Sequence, residues 1–143
     1  MQADRDPERR LTSVLAWSLG ILLLVTGANH FLSPSGFEAI VPRALGSPAF
    51  WVSASGVAEL AVAVGLIVRR TRRIAAIAAV VLFVVVFPAN VQMALDSGDG
   101  TPGWTHQPWV AWGRLPLQIP LVVWAGWIAA TTSSPVWRVR RRV

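Results

Sequence analysis

The sequence contains no cysteine, no tyrosine and no lysine. The missing cysteine excludes disulfide bonds, thiolate metal sites and thiol-based quinone chemistry carried out by this chain itself. Charged residues are scarce as well, at 14% of the chain, whereas typical soluble domains have about 25%. A chain of 143 residues buries only about two-thirds of its surface on folding, so a soluble fold would leave much apolar material in water. An ordinary soluble domain and a disordered chain are therefore both excluded.

Apolar residues make up 54% of the chain, which also has 8 tryptophans and 13 arginines. Four stretches are long and apolar enough to cross a bilayer as helices, because about 20 residues span the hydrocarbon core. These stretches are residues 11–32, 49–68, 74–95 and 115–132. We therefore predict an all-α protein whose single integral membrane domain, residues 1–143, is a four-helix transmembrane bundle with basic tails at 1–10 and 133–143.

The arginines are distributed unevenly among the predicted loops and tails. Eleven lie in the two tails or in the loop between the second and third spans, and only Arg43 and Arg114 lie in the other two loops. Because cytoplasmic segments carry the excess of positive charge, both termini are predicted to be cytoplasmic. The basic clusters alternate with spans, so topology and anionic lipid headgroups explain them and nucleic acid is not expected as a partner.

Two of the connecting segments carry structure of their own. Residues 33–46 have apolar side chains at near-helical spacing between two prolines, which predicts a short re-entrant or interfacial segment that caps the bundle. Residues 104–114 are rich in tryptophan and are predicted to lie in the outer membrane interface before the fourth span.

Polar side chains inside a span must be paired, hydrated or functional. Several are predicted to lie in the outer half of the bilayer, judged from a rise of about 1.5 Å per residue. These candidate ligand-binding or proton-exchanging residues are Asn29, His30, Glu59, Asn90, Arg114 and Gln118. Glu59 is the deepest, roughly 12 Å below Trp51. The sequence therefore predicts a polar pocket that opens outward with Glu59 at its floor.

Glu59 has both a structural and a functional explanation. An ionised carboxylate at that depth is costly, so Glu59 is either protonated or paired with a cation such as Arg114 or His30. Ser55 and Glu59 are one helical turn apart, as are Thr26 and His30, so each pair shares a helix face.

The other candidates also have simpler explanations. Interhelical hydrogen bonding explains Asn29, Asn90 and Gln118 better than ligand contact does, and His30 is close enough to the interface to contact headgroups. No span carries metal-ligand spacing, and there is no paired carboxylate or phosphate-binding loop. The sequence therefore assigns no catalytic residue and no metal.

A series of short motifs runs in order through most of the predicted membrane domain. They are GANHF (27–31), SPSGFEAIVPRAL (33–45), VSASGVAEL (52–60), VRRTRRIAA (68–76), FPANVQMAL (87–95) and RLPLQ (114–118). In these motifs the sequence resembles the DoxX-like family of small bacterial integral membrane proteins, most closely its actinobacterial type. The resemblance implies a four-helix protein of the bacterial cytoplasmic (inner) membrane.

The family takes its name from a subunit associated with quinone-linked oxidation of sulfur compounds. Relatives are tied to membrane oxidoreductase assemblies, which implies membrane or periplasmic oxidoreductase subunits as partners, besides the lipid bilayer or a second copy of the chain. The matching motifs contain the same six candidate residues that their predicted depth in the bilayer indicates. The resemblance transfers the fold better than any activity, so whether the chain is an enzyme stays open.

Three hypotheses follow. The first is a redox-associated membrane subunit whose polar pocket holds a quinone-like or other small amphipathic ligand, with no cofactor intrinsic to the chain. In that hypothesis Glu59 or His30 exchanges protons with the ligand, and Arg114, Asn90 and Gln118 position it. The second is a non-catalytic scaffold or partner subunit with a structural polar cluster. The third is a small transporter or proton pathway, which the nearly unbroken apolar inner half disfavours.

Overall fold

The computed structural model describes residues 7–98, 100, 103 and 106–132. In this part of the chain all regular secondary structure is helical, as the sequence predicts. The helices are α1 (Pro7–Leu32), α2 (Pro34–Glu38), α3 (Pro48–Ile67), α4 (Arg72–Asp96) and α5 (Pro108–Thr131), with a 3-10 turn at Arg43–Leu45 between α2 and α3.

Three of the described helices, α1, α3 and α4, are long and apolar enough to cross a membrane. They correspond to the first three predicted spans. The fourth predicted span lies within α5, which is 24 residues long but is not among these three candidate membrane-spanning helices. Pro116, Gln118 and Pro120 lie in its middle, and they lower its mean hydropathy.

The helices extend beyond the predicted spans by more than two residues at two places. Helix α1 begins at Pro7 and not at residue 11, and α5 begins at Pro108 and not at residue 115. Hydropathy detects only the apolar part of a helix. At the start of α1 the added residues include arginine and glutamate, which are good helix formers, and at the start of α5 Pro108 occupies the first turn, where proline is compatible with a helix. Residues 108–114, predicted to lie before the fourth span, therefore form the first turns of α5. Residues 1–6, 104–105 and 133–143 of the predicted tails and interfacial stretch lie outside the described residues.

The four long helices form a ring in which consecutive members are antiparallel. Helix α1 packs against α3 and α5, and α4 packs against the same two helices. Thr12, near the start of α1, contacts Thr131 at the end of α5. We call the end of the bundle that carries residues 33–47, 97–98 and 106–107 the loop end. The opposite end, where residues 68–71 join α3 to α4, is the hairpin end.

The centre of the bundle and its hairpin half are filled by apolar side chains. Alanines on α4 face leucines and valines of α1 and α3 in this core, which lets the helix axes approach closely. The buried members are Ala16, Leu19, Leu23, Val62, Ala63, Leu66, Ala75, Ala76, Ala79, Phe83, Ala125 and Ile128. This core separates the polar residues near the loop end from those at the hairpin end.

The loop end is closed by the segment before α3. Ile40 is buried in a small apolar cluster with Met93 and Ala94 of α4 and Ala111 of α5. The segment consists of α2, a 3-10 turn and short connections. Its contacts extend over several helix ends, so it covers this end of the bundle, in the manner expected of a capping segment.

The hairpin end contains an arginine that topology alone does not explain. The Arg72 side chain is buried, with 4% of its surface exposed. Its guanidinium donates to the Leu66 carbonyl at 2.8 Å, to the Ile67 carbonyl at 3.3 Å and to the Ser13 hydroxyl at 3.1 Å. Arg72 therefore satisfies carbonyl groups in the last turn of α3, which have no partner within the helix, and links them to α1.

Candidate functional site

The candidate site lies where α1 and α3 approach most closely, in the half of the bundle nearer the loop end. A Cβ atom added to Gly27 would lie 3.0 Å from Glu59 Cβ and 3.2 Å from the Gly56 carbonyl oxygen. A Cβ atom added to Gly56 would lie 2.7 Å from the Phe31 ring and 2.9 Å from His30 Cβ. Two glycines, one on each helix, therefore allow the backbones to approach at the level of His30 and Glu59.

The Glu59 carboxylate is held between the two helices. Its side chain is buried, with 8% of the residue exposed. The Thr26 hydroxyl of α1 lies 2.6 Å from Glu59 Oε2, and the Ser55 hydroxyl lies 3.5 Å from Oε1. Both carboxylate oxygens thus have a hydroxyl neighbour, one from α1 and one from the preceding turn of α3.

His30 completes the cluster on the loop-end side of Glu59. Its Nδ1 atom lies 2.8 Å from the Thr26 carbonyl oxygen. A carbonyl oxygen can only accept, so this contact assigns the hydrogen to Nδ1. The other ring nitrogen, Nε2, faces Glu59 Oε1 at 3.7 Å. The His30 ring also stacks on Phe37 of α2, with centroids 4.0 Å apart, so the capping segment covers the imidazole.

Arg114 adds a positive charge from a third helix. This half-buried residue of α5 attracts the Glu59 carboxylate electrostatically. One of its guanidinium nitrogens also lies 3.8 Å from the sulfur of Met93. The carboxylate of Glu59 is therefore influenced by α1, α3 and α5 together.

Asn90 and Gln118 form a second polar contact, between α4 and α5. The Asn90 side-chain amide donates to Gln118 Oε1 at 3.1 Å, and both residues are buried. The Gln118 amide in turn donates to the backbone carbonyl of Phe83. Pro88 has no N–H and disturbs the hydrogen-bond ladder of α4 close to this carbonyl. Gln118 thus links α5 to the part of α4 just before Pro88.

The structure divides the predicted site residues into these two clusters and leaves one outside. His30, Glu59 and Arg114 belong to the first cluster, and Asn90 and Gln118 belong to the second. Asn29 is exposed. Helix spacing in the sequence predicts only that Thr26 shares a helix face with His30, and Ser55 with Glu59. In the structure both hydroxyls contact the Glu59 carboxylate directly.

The cluster around Glu59 can hold one proton in two arrangements. With Nδ1 of His30 protonated, the exchangeable proton lies either on Nε2, giving an imidazolium beside a carboxylate, or on Glu59, giving two neutral groups. A hydroxyl can donate or accept, so Thr26 suits both states. It donates to the carboxylate in the first, and in the second it accepts from the carboxyl and donates to the Leu22 carbonyl, 3.1 Å away.

Two cavities open on the surface of the described residues near these clusters. One is an apolar groove of about 220 Å³ between α4 and α5, lined by Phe87, Gln118, Ile119, Val122 and Val123. The other is a cavity of about 500 Å³ at the loop end. Among the described residues, no three His, Cys, Asp or Glu side chains are grouped closely enough to hold a metal ion.

Comparison with known proteins identifies a family and no characterised relative. No curated protein matches the chain. No solved structure matches it either. A family model described as a domain of unknown function, DUF8561, matches residues 19–129, a range that includes both polar clusters and the long helices except the start of α1 and the last residues of α5. The chain therefore belongs to the DUF8561 family.

Proposed function

We propose that the chain is a four-helix integral membrane protein of the bacterial cytoplasmic membrane, with both termini cytoplasmic and the loop end outside. The arginine distribution supports this orientation. As a fourth span, α5 is long enough, since 24 residues correspond to about 36 Å of helix. Trp109 and Trp112 are strongly exposed at its loop end, Trp109 with 78% of its surface, as is typical of side chains at a membrane interface.

Within that membrane protein, the Glu59–His30 pair acts as a proton-exchanging site for a quinone-like or other small amphipathic ligand. The observation that carries this proposal is the buried carboxylate with Thr26 at 2.6 Å and His30 Nε2 at 3.7 Å. One shared proton leaves the pair neutral on whichever group it lies, and donating that proton to a ligand leaves one net negative charge on the pair. Intramembrane acids of this kind are found at proton relays and ligand sites.

The second cluster and the apolar groove supply a route by which the ligand reaches the site. The groove beside Gln118 suits an apolar tail, since its walls are hydrophobic side chains of α4 and α5. Arg114 lies one helical turn before Gln118 on the same face of α5 and attracts Glu59. A polar headgroup that moves past Gln118 therefore approaches Arg114 and then the carboxylate.

The biological role that fits this chemistry is that of a redox-associated membrane subunit, which the resemblance to DoxX-like proteins also suggests. When a quinone is reduced, Glu59 or His30 supplies a proton and a membrane or periplasmic oxidoreductase partner supplies the electrons. When a quinol is oxidised, the same groups accept a proton and the electrons pass to the partner. In this role the chain has no intrinsic cofactor, and a quinone is its ligand.

A ligand titration tests this proposal. The purified full chain is titrated with a short-chain menaquinone analogue, and binding is followed by quenching of tryptophan fluorescence. We expect saturable binding that weakens about tenfold in Glu59→Gln, as when one charge-assisted hydrogen bond is lost. The matched control is Glu8→Gln, the same change at an exposed acid of α1. Non-saturable quenching, or equal affinity in the two variants, rejects the proposal.

One observation favours a scaffold as the second candidate function. Both oxygens of Glu59 already have protein neighbours, so the cluster can serve simply to join α1 and α3. In that case Glu59→Gln lowers the melting temperature and the recovery of a partner complex but leaves ligand affinity unchanged. A continuous proton or solute pathway is less well supported, since the apolar core lies between the Glu59 cluster and the hairpin end.

A further inference from the structure

The cavity of about 500 Å³ at the loop end is separate from the Glu59 cluster. It lies between the capping segment, the last turns of α4 and His106, two residues before α5. Its lining residues are Ala39, Val41, Arg43, Gln92, Leu95, Asp96, Ser97, Gly98 and His106. None of the six predicted site residues is among them. We call this space the rim cavity.

The rim cavity carries opposite charges on facing elements. Arg43 comes from the capping segment and Asp96 from the end of α4. The Gln92 amide donates to Asp96 Oδ2 at 2.8 Å, which orients the carboxylate one turn along the helix. Within the described residues Gln92 occupies only Oδ2, and in the binding mode proposed below Oδ1 accepts from the ligand. The cavity therefore offers a cation, an oriented anion and, in Val41 and Leu95, an apolar edge.

We propose that the rim cavity binds a phosphoethanolamine group, the headgroup of a zwitterionic phospholipid in the outer leaflet. The guanidinium of Arg43 is the side chain best suited to a phosphate, because its donors form a planar fork. The carboxylate of Asp96 accepts hydrogen bonds from a primary ammonium group. A trimethylated ammonium cannot donate such bonds, and a glycerol headgroup has no positive charge, so Asp96 selects between headgroups.

The position of the cavity supports a lipid as the source of this group. Trp51, exposed at the start of α3, donates from its indole nitrogen to the Leu45 carbonyl of the capping segment at 2.8 Å. Indole side chains of this kind sit at the headgroup level. Leu95 has 67% of its surface exposed, where it can contact the glycerol and upper acyl chain of a lipid whose headgroup fills the cavity.

Native mass spectrometry of the full chain tests this inference. The protein is exchanged with phosphatidylethanolamine, phosphatidylcholine or phosphatidylglycerol of identical acyl chains. We expect the ethanolamine lipid to bind about tenfold more tightly than the other two, the difference made by a charge-assisted hydrogen bond. Glycerophosphoethanolamine, which lacks acyl chains, is added as a competitor to tell whether the cavity recognises the soluble headgroup or the intact lipid. Competition by it shows that the cavity also takes a soluble zwitterion, and failure to compete shows that it needs the intact lipid.

Substitutions locate the effect. Asp96→Asn should abolish the preference for ethanolamine, and Arg43→Gln should weaken binding of all three lipids. Ala39→Phe fills the cavity without removing a charge and should reduce binding of the ethanolamine lipid. This variant keeps the test decisive where a charge variant folds poorly. Arg70→Gln, at an exposed arginine of the hairpin end, is the matched control and should behave as wild type.

The outcome is independent of the proposed proton-exchanging function. Glu59→Gln should leave the lipid preference unchanged, because Glu59 does not line the rim cavity. Equal binding of the three lipids by the wild-type chain overturns the inference. The same holds if Asp96→Asn and Ala39→Phe retain the preference seen in Arg70→Gln.

Discussion

The Thr26 hydroxyl lies 2.6 Å from the Glu59 carboxylate, across the interface between α1 and α3. Together with His30, whose Nε2 faces the same carboxylate at 3.7 Å, this contact joins α1 and α3 at a place where two glycines bring the helices close. It also places a group that can both donate and accept beside the buried carboxyl of Glu59. The stability and the proposed chemistry of the site therefore depend on the same hydroxyl.

Replacing Thr26 by valine should destabilise the protein by about 1–3 kcal/mol, the usual cost of leaving a buried polar group without its partner. Valine keeps the shape of threonine but cannot hydrogen-bond to Glu59. Thermal unfolding of the purified chain measures the effect. Thr26→Ser keeps the hydroxyl and should recover most of the loss, and equal melting temperatures for the valine variant and wild type would contradict this role.

Gly56→Ala should destabilise the α1–α3 interface, since the new methyl group meets the Phe31 ring at 2.7 Å and His30 Cβ at 2.9 Å. Overpacking of this kind costs about 1–3 kcal/mol. The control is Gly126→Ala in α5, where a Cβ meets nothing within 4 Å and alanine is the better helix former. Thermal unfolding compares the two, and an unchanged melting temperature for Gly56→Ala would mean that the helices are not this close.

Arg72→Lys should lower the melting temperature more than Arg70→Lys does. Lysine keeps the charge but lacks the planar fork that reaches the Leu66 and Ile67 carbonyls and Ser13 together. The expected cost is about 1–3 kcal/mol, against little change at the exposed Arg70. If the two lysine variants unfold at the same temperature, Arg72 acts only as one positive charge among several.

Single cysteines test the proposed topology, because the chain has none of its own. Ser35→Cys and Trp109→Cys at the loop end should react with a membrane-impermeant maleimide on intact spheroplasts. Arg70→Cys and Val143→Cys should react only after permeabilisation. Labelling of Val143→Cys in intact spheroplasts would show that α5 does not cross the membrane.

Several features of the fold could be predicted from the sequence because they depend on local composition. The first three spans and the capping segment follow from hydropathy and proline spacing. The start of α5 at Pro108 could not be predicted in this way, because hydropathy does not register a helix that continues through Trp109, Trp112 and Arg114. The separate role of Arg72 could not be predicted from the sequence either, because there it looks like the neighbouring arginines on which the predicted topology depends.

For the candidate site, the sequence predicts only which pairs of residues share a helix face. The spacing of Ser55 and Glu59, and of Thr26 and His30, places each pair on one face. That the two faces meet depends on the close approach at Gly27 and Gly56, which is a tertiary contact. Asn29 has the same predicted depth as His30, but it lies on the exposed side of α1. Adjacent residues of a helix do not share a face, so depth alone could not separate the two.

The most direct test of the proposed proton exchange is an infrared difference spectrum recorded when the menaquinone analogue is added to the reconstituted protein. Wild type and Glu8→Gln should show a change in a protonated-carboxyl stretching band, shifted in heavy water, that is missing from Glu59→Gln. The band reports the protonation state of the Glu59 carboxyl itself. A difference spectrum that is the same in Glu59→Gln, or one without a carboxyl band in wild type, would contradict the proposal that Glu59 exchanges a proton with the ligand.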